Sequence, residues 1–81
     1  MESYAEKLGA KIREIRRMKN ETQQQLGSAI GVVQQSVAAW ESGRCMPNIE
    51  SLTKVAEHYN VSTDWLLGLS TQIELSTERN K

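Results

Sequence analysis

Two neighbouring glutamines, Gln34 and Gln35, follow a valine pair in the segment IGVVQQSVAAWESG. A glutamine amide carries one acceptor and two N–H donors, so it can form a pair of hydrogen bonds with the N6 and N7 groups of adenine. Each such pair distinguishes bases by about 1–3 kcal/mol. The two glutamines are therefore either the solvated first turn of a helix or a surface that reads base edges in the major groove of DNA.

The positions around the glutamines are apolar or small. Val33, Ala38 and Ala39 offer methyl groups to thymine, and Ser36 carries a hydroxyl group. We expect Ala38 and Ala39 to remain at or near the surface with the glutamines. The predicted base-contacting residues are Gln34, Gln35, Val33, Ser36 and Ala39.

Short helices with polar caps have to position these side chains. Apolar residues of the first helix, over residues 4–19, recur every three or four positions and form one stripe of Ala5, Leu8, Ile12, Ile15 and Met18. Thr22 and Gln25 have capping-box spacing at the start of a second helix over about 23–30, where Leu26, Ala29 and Ile30 are apolar and Gly31 ends the helix. A third helix over about 33–41 turns Val37 and Trp40 inward and ends at Gly43.

Two further helices follow the only proline of the sequence. Pro47 or Asn48 opens the fourth helix, whose apolar stripe is Ile49, Leu52, Val55, Ala56 and Tyr59 and which ends at Asn60. Ser62 caps a fifth helix over 63–67. Both Trp40 and Trp65 lie on apolar stripes, so we expect them in the core rather than stacked on bases. Helices this short are marginal alone, which predicts an all-α fold of five short helices around one small core.

The second and third helices, joined by a glycine-containing turn, form a helix-turn-helix unit that holds its second helix out for the major groove. We predict one DNA-binding domain over residues 1–69 and a C-terminal tail over 70–81. The tail alternates only briefly between polar and apolar residues, which leaves open a short strand, a partner-binding or dimerisation arm, or a frayed end.

Four segments carry a resemblance to a known family: KIREIR, TQQQLGSAIGV, QQSVAAWESGRCMP and VSTDWLLG. Over about residues 8–68 the chain resembles the Cro and phage-repressor, XRE-like helix-turn-helix family. The resemblance implies a lambda-repressor-like domain in which Gln34 and Gln35 read base edges. It also implies phosphate contacts from Gln23, Ser42 and Arg44, and an internal ion pair between Arg16 and Glu41.

Three residues depart from the pattern of that family. Val33 replaces the usual Ser or Thr at the start of the recognition helix, which removes a side-chain cap commonly worth about 1 kcal/mol. Gly27 replaces the usual Ala, and glycine inside a helix costs up to about 1 kcal/mol. Glu21 replaces a residue that is usually apolar. These departures predict a modest stability.

The composition excludes several kinds of site. The formal net charge is zero, so any attraction to DNA has to come from the local arrangement of charges. Cys45 is the only cysteine and His58 the only histidine, which excludes an internal disulfide and a structural zinc site, and neither is expected to take part in the functional site. Arg13 and Arg17 are expected to be solvated. No secretory signal or membrane span is predicted, and we expect a cytoplasmic protein, bacterial or phage-encoded, without a cofactor or small-molecule ligand.

The favoured function is a sequence-specific double-stranded DNA-binding transcriptional regulator of phage or mobile-element repressor type. It is expected to bind a near-palindromic operator as a homodimer, with half-sites about 34 Å apart. Residues 59–69 and the tail residues Ile73 and Leu75 are the candidate dimer interface. The alternative is a helix-turn-helix module that binds a partner regulator or a toxin, which the zero net charge favours. An enzyme is not expected, because the sequence offers no nucleophile-base set or phosphate-binding glycine loop.

Overall fold

The computed structural model describes residues 3–74, which form five α-helices in succession. They are α1 (Tyr4–Met18), α2 (Gln23–Ile30), α3 (Gln34–Ser42), α4 (Ile49–Tyr59) and α5 (Thr63–Leu66). The predicted all-α class and the order of five short helices are confirmed. Within residues 3–74, no helix combines the length and the apolar character that crossing a membrane requires.

Polar caps start the first two helices, and α3 begins without one. The hydroxyl of Ser3 accepts from the Glu6 N–H, and the Glu6 carboxylate accepts from the Ser3 N–H. The predicted capping box of α2 is present, since Thr22 Oγ1 accepts from the Gln25 N–H at 3.0 Å and Gln25 Oε1 accepts from the Thr22 N–H at 2.8 Å. Val33 is the N-cap of α3 and makes no side-chain cap hydrogen bond, because its side chain carries no acceptor.

The core takes apolar side chains from all five helices. Both tryptophans are buried in it, as predicted. Its buried members are Leu8, Ile12, Ile15, Leu26, Ile30, Val37, Trp40, Val55, Ala56, Tyr59, Val61, Trp65 and Leu66. Burial of side chains from every helix explains how helices of 4 to 15 residues are stable together.

Three apolar residues assigned to the stripes lie outside the core. Ile49, the first residue of α4, is 84% exposed. Met18, the last residue of α1, is also exposed, and so is Ala29 on α2. The prediction that these three positions contribute to the apolar faces is wrong, and the faces are narrower than the sequence pattern indicates.

Two glycines allow backbone segments to approach closely. A Cβ atom added at Gly9 would lie 2.1 Å from the carbonyl oxygen of Trp40, so α1 and α3 cross with their backbones nearly in contact. A Cβ atom added at Gly27 would lie 2.7 Å from the carbonyl oxygen of Val32, in the turn between α2 and α3. The helical cost predicted for Gly27 is therefore offset by a tight turn that an alanine would force to shift.

The chain after α5 returns to the body of the domain. The Ser62 N–H donates to the Ile73 carbonyl oxygen at 2.6 Å, and Val61 and Glu74 form an isolated antiparallel bridge. Ile73 packs against the core cluster. These contacts hold residues 73 and 74 against the domain, while Leu75 and the positions up to 81 lie outside the described residues.

Candidate nucleic-acid interface

The first turn of α3 presents its polar residues to solvent. Val33 is 63% exposed, Gln34 and Gln35 are exposed, and Ser36 is half-buried. Val37 and Trp40, which are three residues apart on the same helix, are buried in the core. Burial of Val37 and Trp40 therefore fixes the rotation of α3 about its axis. Four of the five predicted base-contacting residues lie together at one end of this helix.

Ala39 is the exception. Its exposed fraction is 8%. The Arg44 N–H donates to the Ala39 carbonyl oxygen at 3.0 Å, and the Ser42 hydroxyl donates to the same oxygen at 3.1 Å. The expectation that Ala39 remains at the surface is wrong, and this residue does not belong to the exposed face of α3. Ala38, by contrast, is half-buried.

The predicted phosphate-contacting residues at and after the end of α3, Ser42 and Arg44, are exposed. Arg44 lies just beyond the end of α3, where a guanidinium group can donate to a phosphate oxygen. The Ser42 hydroxyl is used as a donor within its own helix. Because a phosphate oxygen only accepts, Ser42 has to rotate its hydroxyl before it can make such a contact. Arg44 is therefore the better placed of the two.

Arg16 and Glu41, the predicted ion pair, are in direct contact. Arg16 Nε lies 2.6 Å from Glu41 Oε2, and Arg16 Nη2 lies 3.0 Å from Glu41 Oε1, which makes the pair bidentate. The Glu41 side chain is 0% exposed. Arg16 also donates from Nη1 to the Glu21 carbonyl oxygen at 2.7 Å, so one guanidinium group joins α1, the loop before α2 and the end of α3.

The charges of this pair stabilise each other. The hydrogen bonds that Arg16 donates to Glu41 raise the pKa of Arg16 above its ordinary value, even though burial opposes the charge. Burial alone would raise the pKa of Glu41, but hydrogen bonds from Arg16 and Gln23 outweigh it and hold that pKa below its usual range. Arg13, expected to be solvated, adds a contact, because its Nε lies 3.4 Å from Glu41 Oε1.

Gln23 connects the buried carboxylate to the exposed end of α3. Its Nε2 donates to Glu41 Oε1 at 3.1 Å, and its Oε1 accepts from Gln34 Nε2 at 3.5 Å. One N–H of the Gln23 amide remains for a phosphate oxygen. The sequence predicted the surface position of Gln23 at the start of α2, but neither of these two partners.

Glu21 is explained by a second polar cluster. Its carboxylate accepts from the Tyr59 hydroxyl at 2.8 Å, and His58 Nε2 lies 3.0 Å from both of its oxygens. Burial alone would raise the pKa of Glu21, but the hydrogen bonds from Tyr59 and His58 lower it below its ordinary value. Burial, followed by the contact with Glu21, raises the pKa of Tyr59. The cluster attaches the loop before α2 to α4, so His58 has a structural partner that the sequence did not indicate.

The exposed amides of α3 and the guanidinium group of Arg44 suit binding to a polyanion through hydrogen bonds and local charge. Among the residues that the structure describes, no three His, Cys, Asp or Glu side chains are placed to hold a metal ion. Cys45 is exposed.

A model of the family described as "Helix-turn-helix" matches residues 12–66, which include all of α2, α3, α4 and α5. The chain belongs to the helix-turn-helix family. The match begins inside α1 and includes the turn between α2 and α3. The predicted resemblance to the Cro and phage-repressor type is confirmed.

Relatives and solved structures agree with this membership. The helix-turn-helix chain is 35% identical over 71 residues to the HTH-type transcriptional activator BcrR of Enterococcus faecalis, covering 88% of this chain and 35% of that protein. It is 39% identical over 49 residues to the cryptic phage CTXphi transcriptional repressor RstR of Vibrio cholerae, covering 60% of this chain and 44% of that protein. The chain thus spans between a third and a half of the length of these two relatives.

The fold is similar to that of a phage repressor solved on its operator. The P22 c2 repressor, crystallised with synthetic operator 9T in the presence of Tl+, superposes with a TM-score of 0.74 at 30% identity. The superposition covers 78% of this helix-turn-helix chain and 96% of that chain. The predicted lambda-repressor-like architecture is confirmed.

Proposed function

We propose that this helix-turn-helix protein is a sequence-specific double-stranded DNA-binding transcriptional regulator, a repressor of phage type that acts in the cytoplasm. The observation that carries the proposal is the first turn of α3, where Val33, Gln34 and Gln35 are exposed while Val37 and Trp40 are buried in the core. An α-helix held out in this way fits the major groove. The similarity to a repressor solved with its operator supports the same docking mode.

The proposed base contacts divide by chemistry. Gln34 and Gln35 pair with base edges, Val33 packs on thymine methyl groups, and Ser36 contributes one hydroxyl. The proposed phosphate contacts are Gln23 at the start of α2, Ser42 at the end of α3 and Arg44 on the loop after α3. The phosphate contacts set the position of α3 on the duplex and do not depend on the base sequence.

A single recognition helix reads only a few base pairs, so we propose that the protein binds as a homodimer to a near-palindromic operator. The two half-sites would lie about 34 Å apart, one turn of the duplex. The candidate dimer surface is the part of residues 59–69 that lies outside the core, such as the exposed Leu69, together with the half-buried Ile73. Lys and Arg residues equal Asp and Glu residues in number, so the attraction to DNA depends on local groups such as Arg44.

Site selection from a random duplex library, followed by fluorescence anisotropy on the selected site and on random duplex, tests the proposal. Gln34→Ala and Gln35→Ala should each weaken binding to the selected site by about tenfold or more, with little effect on random duplex. Arg44→Ala should weaken both and make the dependence of log affinity on log salt shallower by about one. Ser28→Ala, an exposed change on α2 beside α4, is the matched control and should change neither affinity.

Equal losses for Gln34→Ala, Gln35→Ala and Arg44→Ala would contradict the assigned roles. Failure of the wild-type protein to select any site, together with weak binding to duplex at all moderate salt concentrations, would reject the proposal. That result would favour a module that binds a partner protein, which is the function that the zero net charge supports.

A further inference from the structure

Arg13 lies at the solvent side of the ion pair between Arg16 and Glu41. Its Nε is 3.4 Å from Glu41 Oε1, and its side chain is 46% exposed, whereas that of Arg16 is 11% exposed. Within residues 3–74, the side chain of Arg13 makes no hydrogen bond other than this one from Nε. The donors on both of its Nη groups therefore remain available to a ligand that accepts hydrogen bonds.

The three charged groups leave an excess of positive charge at the surface. Arg16 donates to both oxygens of Glu41, at 2.6 and 3.0 Å, so this pair is neutral as a whole. Arg13 adds a second guanidinium group to the same carboxylate, and it is the more exposed of the two arginines. The formal net charge of the protein is zero, so attraction to a polyanion depends on local excesses of this kind.

The position of Arg13 is set by the contacts of Glu41. Gln23 Nε2 donates to the same oxygen, Glu41 Oε1, at 3.1 Å, so the side chains of Arg13 and Gln23 meet at one atom. Glu41 is followed by Ser42, the last residue of α3. Arg13 therefore lies beside the start of α2 and close to the end of α3, where the proposed phosphate contacts are.

α1 also runs beside the loop that follows α3. A Cβ atom added at Gly43 would lie 2.8 Å from Glu6 Cγ, which places the first turn of α1 against the residue before Arg44. Glu6 and Arg13 are seven residues apart, about two helical turns, so they lie on the same side of α1. One side of α1 thus borders both groups of proposed phosphate contacts, the one on α2 and the one at and after the end of α3.

We propose that Arg13 is a phosphate-binding residue and that α1 thereby extends the DNA contact beyond the helix-turn-helix unit of α2 and α3. Phosphates follow one another along a strand, one for about every 3.4 Å of the helix axis, so donors that meet at one oxygen atom can reach neighbouring phosphates. A guanidinium group offers a phosphate two parallel N–H donors. The inference rests on the proposed function, because it requires Gln23 to lie against the DNA backbone. It gives a binding role to a residue that the sequence indicated only as solvated.

Arg13→Gln tests the proposal, because it removes the charge and keeps a polar side chain. Neutralisation of one phosphate contributes about 0.9 to the slope of log affinity against log salt. We therefore expect Arg13→Gln to make this slope shallower by about 0.9, both on the selected duplex and on random duplex. The corresponding loss of affinity is about fivefold at about 0.15 M salt and about fifteenfold at about 0.05 M salt. Fluorescence anisotropy at several salt concentrations measures both quantities.

Two further variants separate a phosphate contact from other effects of the substitution. Lys7→Gln makes the same change of charge at an exposed position of α1, about a third of a turn away from Arg13, and should leave the slope unchanged. Arg13→Lys keeps the charge and should keep most of the slope. A purely structural role of Arg13, through its contact with Glu41, would instead lower the urea midpoint of Arg13→Gln and leave the slope as in the wild type.

Replacement of single phosphates identifies the contact itself. In a set of duplexes of the selected sequence, one phosphate at a time is replaced by an uncharged methylphosphonate. We expect the wild type to lose affinity by about fivefold at one phosphate where Arg13→Gln shows no further loss. This phosphate should neighbour the one at which Gln23→Ala shows the same insensitivity.

The outcomes distinguish this inference from the function on which it rests. A wild-type protein that binds neither the selected nor the random duplex contradicts the proposed function and the inference with it. Binding with equal slopes for the wild type and Arg13→Gln overturns the inference alone. A shallower slope without any phosphate at which Arg13→Gln becomes insensitive also overturns it, since Arg13 would then act only through its long-range field.

Discussion

Replacement of Arg16 by methionine tests how the end of α3 is held. The substitution keeps the length of the side chain but removes both donors to a carboxylate whose side chain is 0% exposed. Removing one partner of a buried ion pair costs about 3–5 kcal/mol, because the other charge stays buried. We expect the lower figure, about 3 kcal/mol, since Gln23 at 3.1 Å and the half-exposed Arg13 at 3.4 Å still contact Glu41.

That loss is large for a domain of this size. Native proteins are stable by about 5–15 kcal/mol, and a chain of 81 residues with a small core belongs near the lower end. Arg16→Met should therefore remove roughly half of the free energy of unfolding. Urea titration followed by tryptophan fluorescence measures it directly, because Trp40 and Trp65 are both buried and report on the core. The transition midpoint should fall while its slope stays unchanged.

Arg17→Met, an exposed change on the same helix, is the matched control and should stay within about 0.5 kcal/mol of the wild type. The double variant Arg16→Met with Glu41→Met should recover most of the loss, since no charge then remains buried. The reasoning would be refuted if Arg16→Met unfolds at the same urea concentration as Arg17→Met, or if the double variant is no more stable than Arg16→Met.

Three further predictions follow from other contacts. Gly9→Ala should cost about 3 kcal/mol or more, because its Cβ would lie 2.1 Å from the Trp40 carbonyl oxygen, and thermal unfolding against the exposed change Ala10→Ser measures it. Val33→Ser should raise the free energy of unfolding by up to about 1 kcal/mol, because serine supplies the missing cap of α3. The same change should weaken binding to the selected DNA site. Equal stability of Val33→Ser and the wild type would contradict the role of the cap. Glu21→Gln should be less stable than the wild type at neutral pH. Because the pKa of Glu21 is lower in the folded state, its contribution is complete above its ordinary carboxyl pKa and is lost as the pH falls through the lowered value. The stability difference should therefore vanish in acid, and a difference independent of pH would contradict this assignment.

The elements of the fold were predictable because their signals are local. Capping pairs such as Thr22 with Gln25 and apolar stripes at helical spacing depend only on residues a few positions apart. The errors at Ile49 and Ala39 have a different origin. Whether an apolar side chain is covered depends on how the neighbouring segments of the chain pack against it, and the periodicity of the helix itself contains no information about that.

The polar contacts of the site were only partly predictable. Glu41 follows Val37 and Trp40 at i+4 and i+1, which places it on the buried side of α3 and signals a buried carboxylate that needs a partner. Its contact with Gln23 spans 18 residues of sequence, and that between Glu21 and His58 spans 37, so no local pattern contains either. The presence of Glu21 at a usually apolar position was the only available sign of the second cluster.

Under the proposed function, the separation of the buried and the exposed residues of α3 also bears on how a preference for DNA sequence can diverge. Val37 and Trp40 anchor the helix, and Gln35 takes no part in that anchoring, so the residue at Gln35 is free to be exchanged while the scaffold persists. Gln34 differs, because its amide is coupled to Gln23. Under the proposed function, a single substitution at Gln35 therefore changes the preferred DNA sequence without loss of a contact in the fold, whereas a substitution at Gln34 also removes its hydrogen bond to Gln23 on α2.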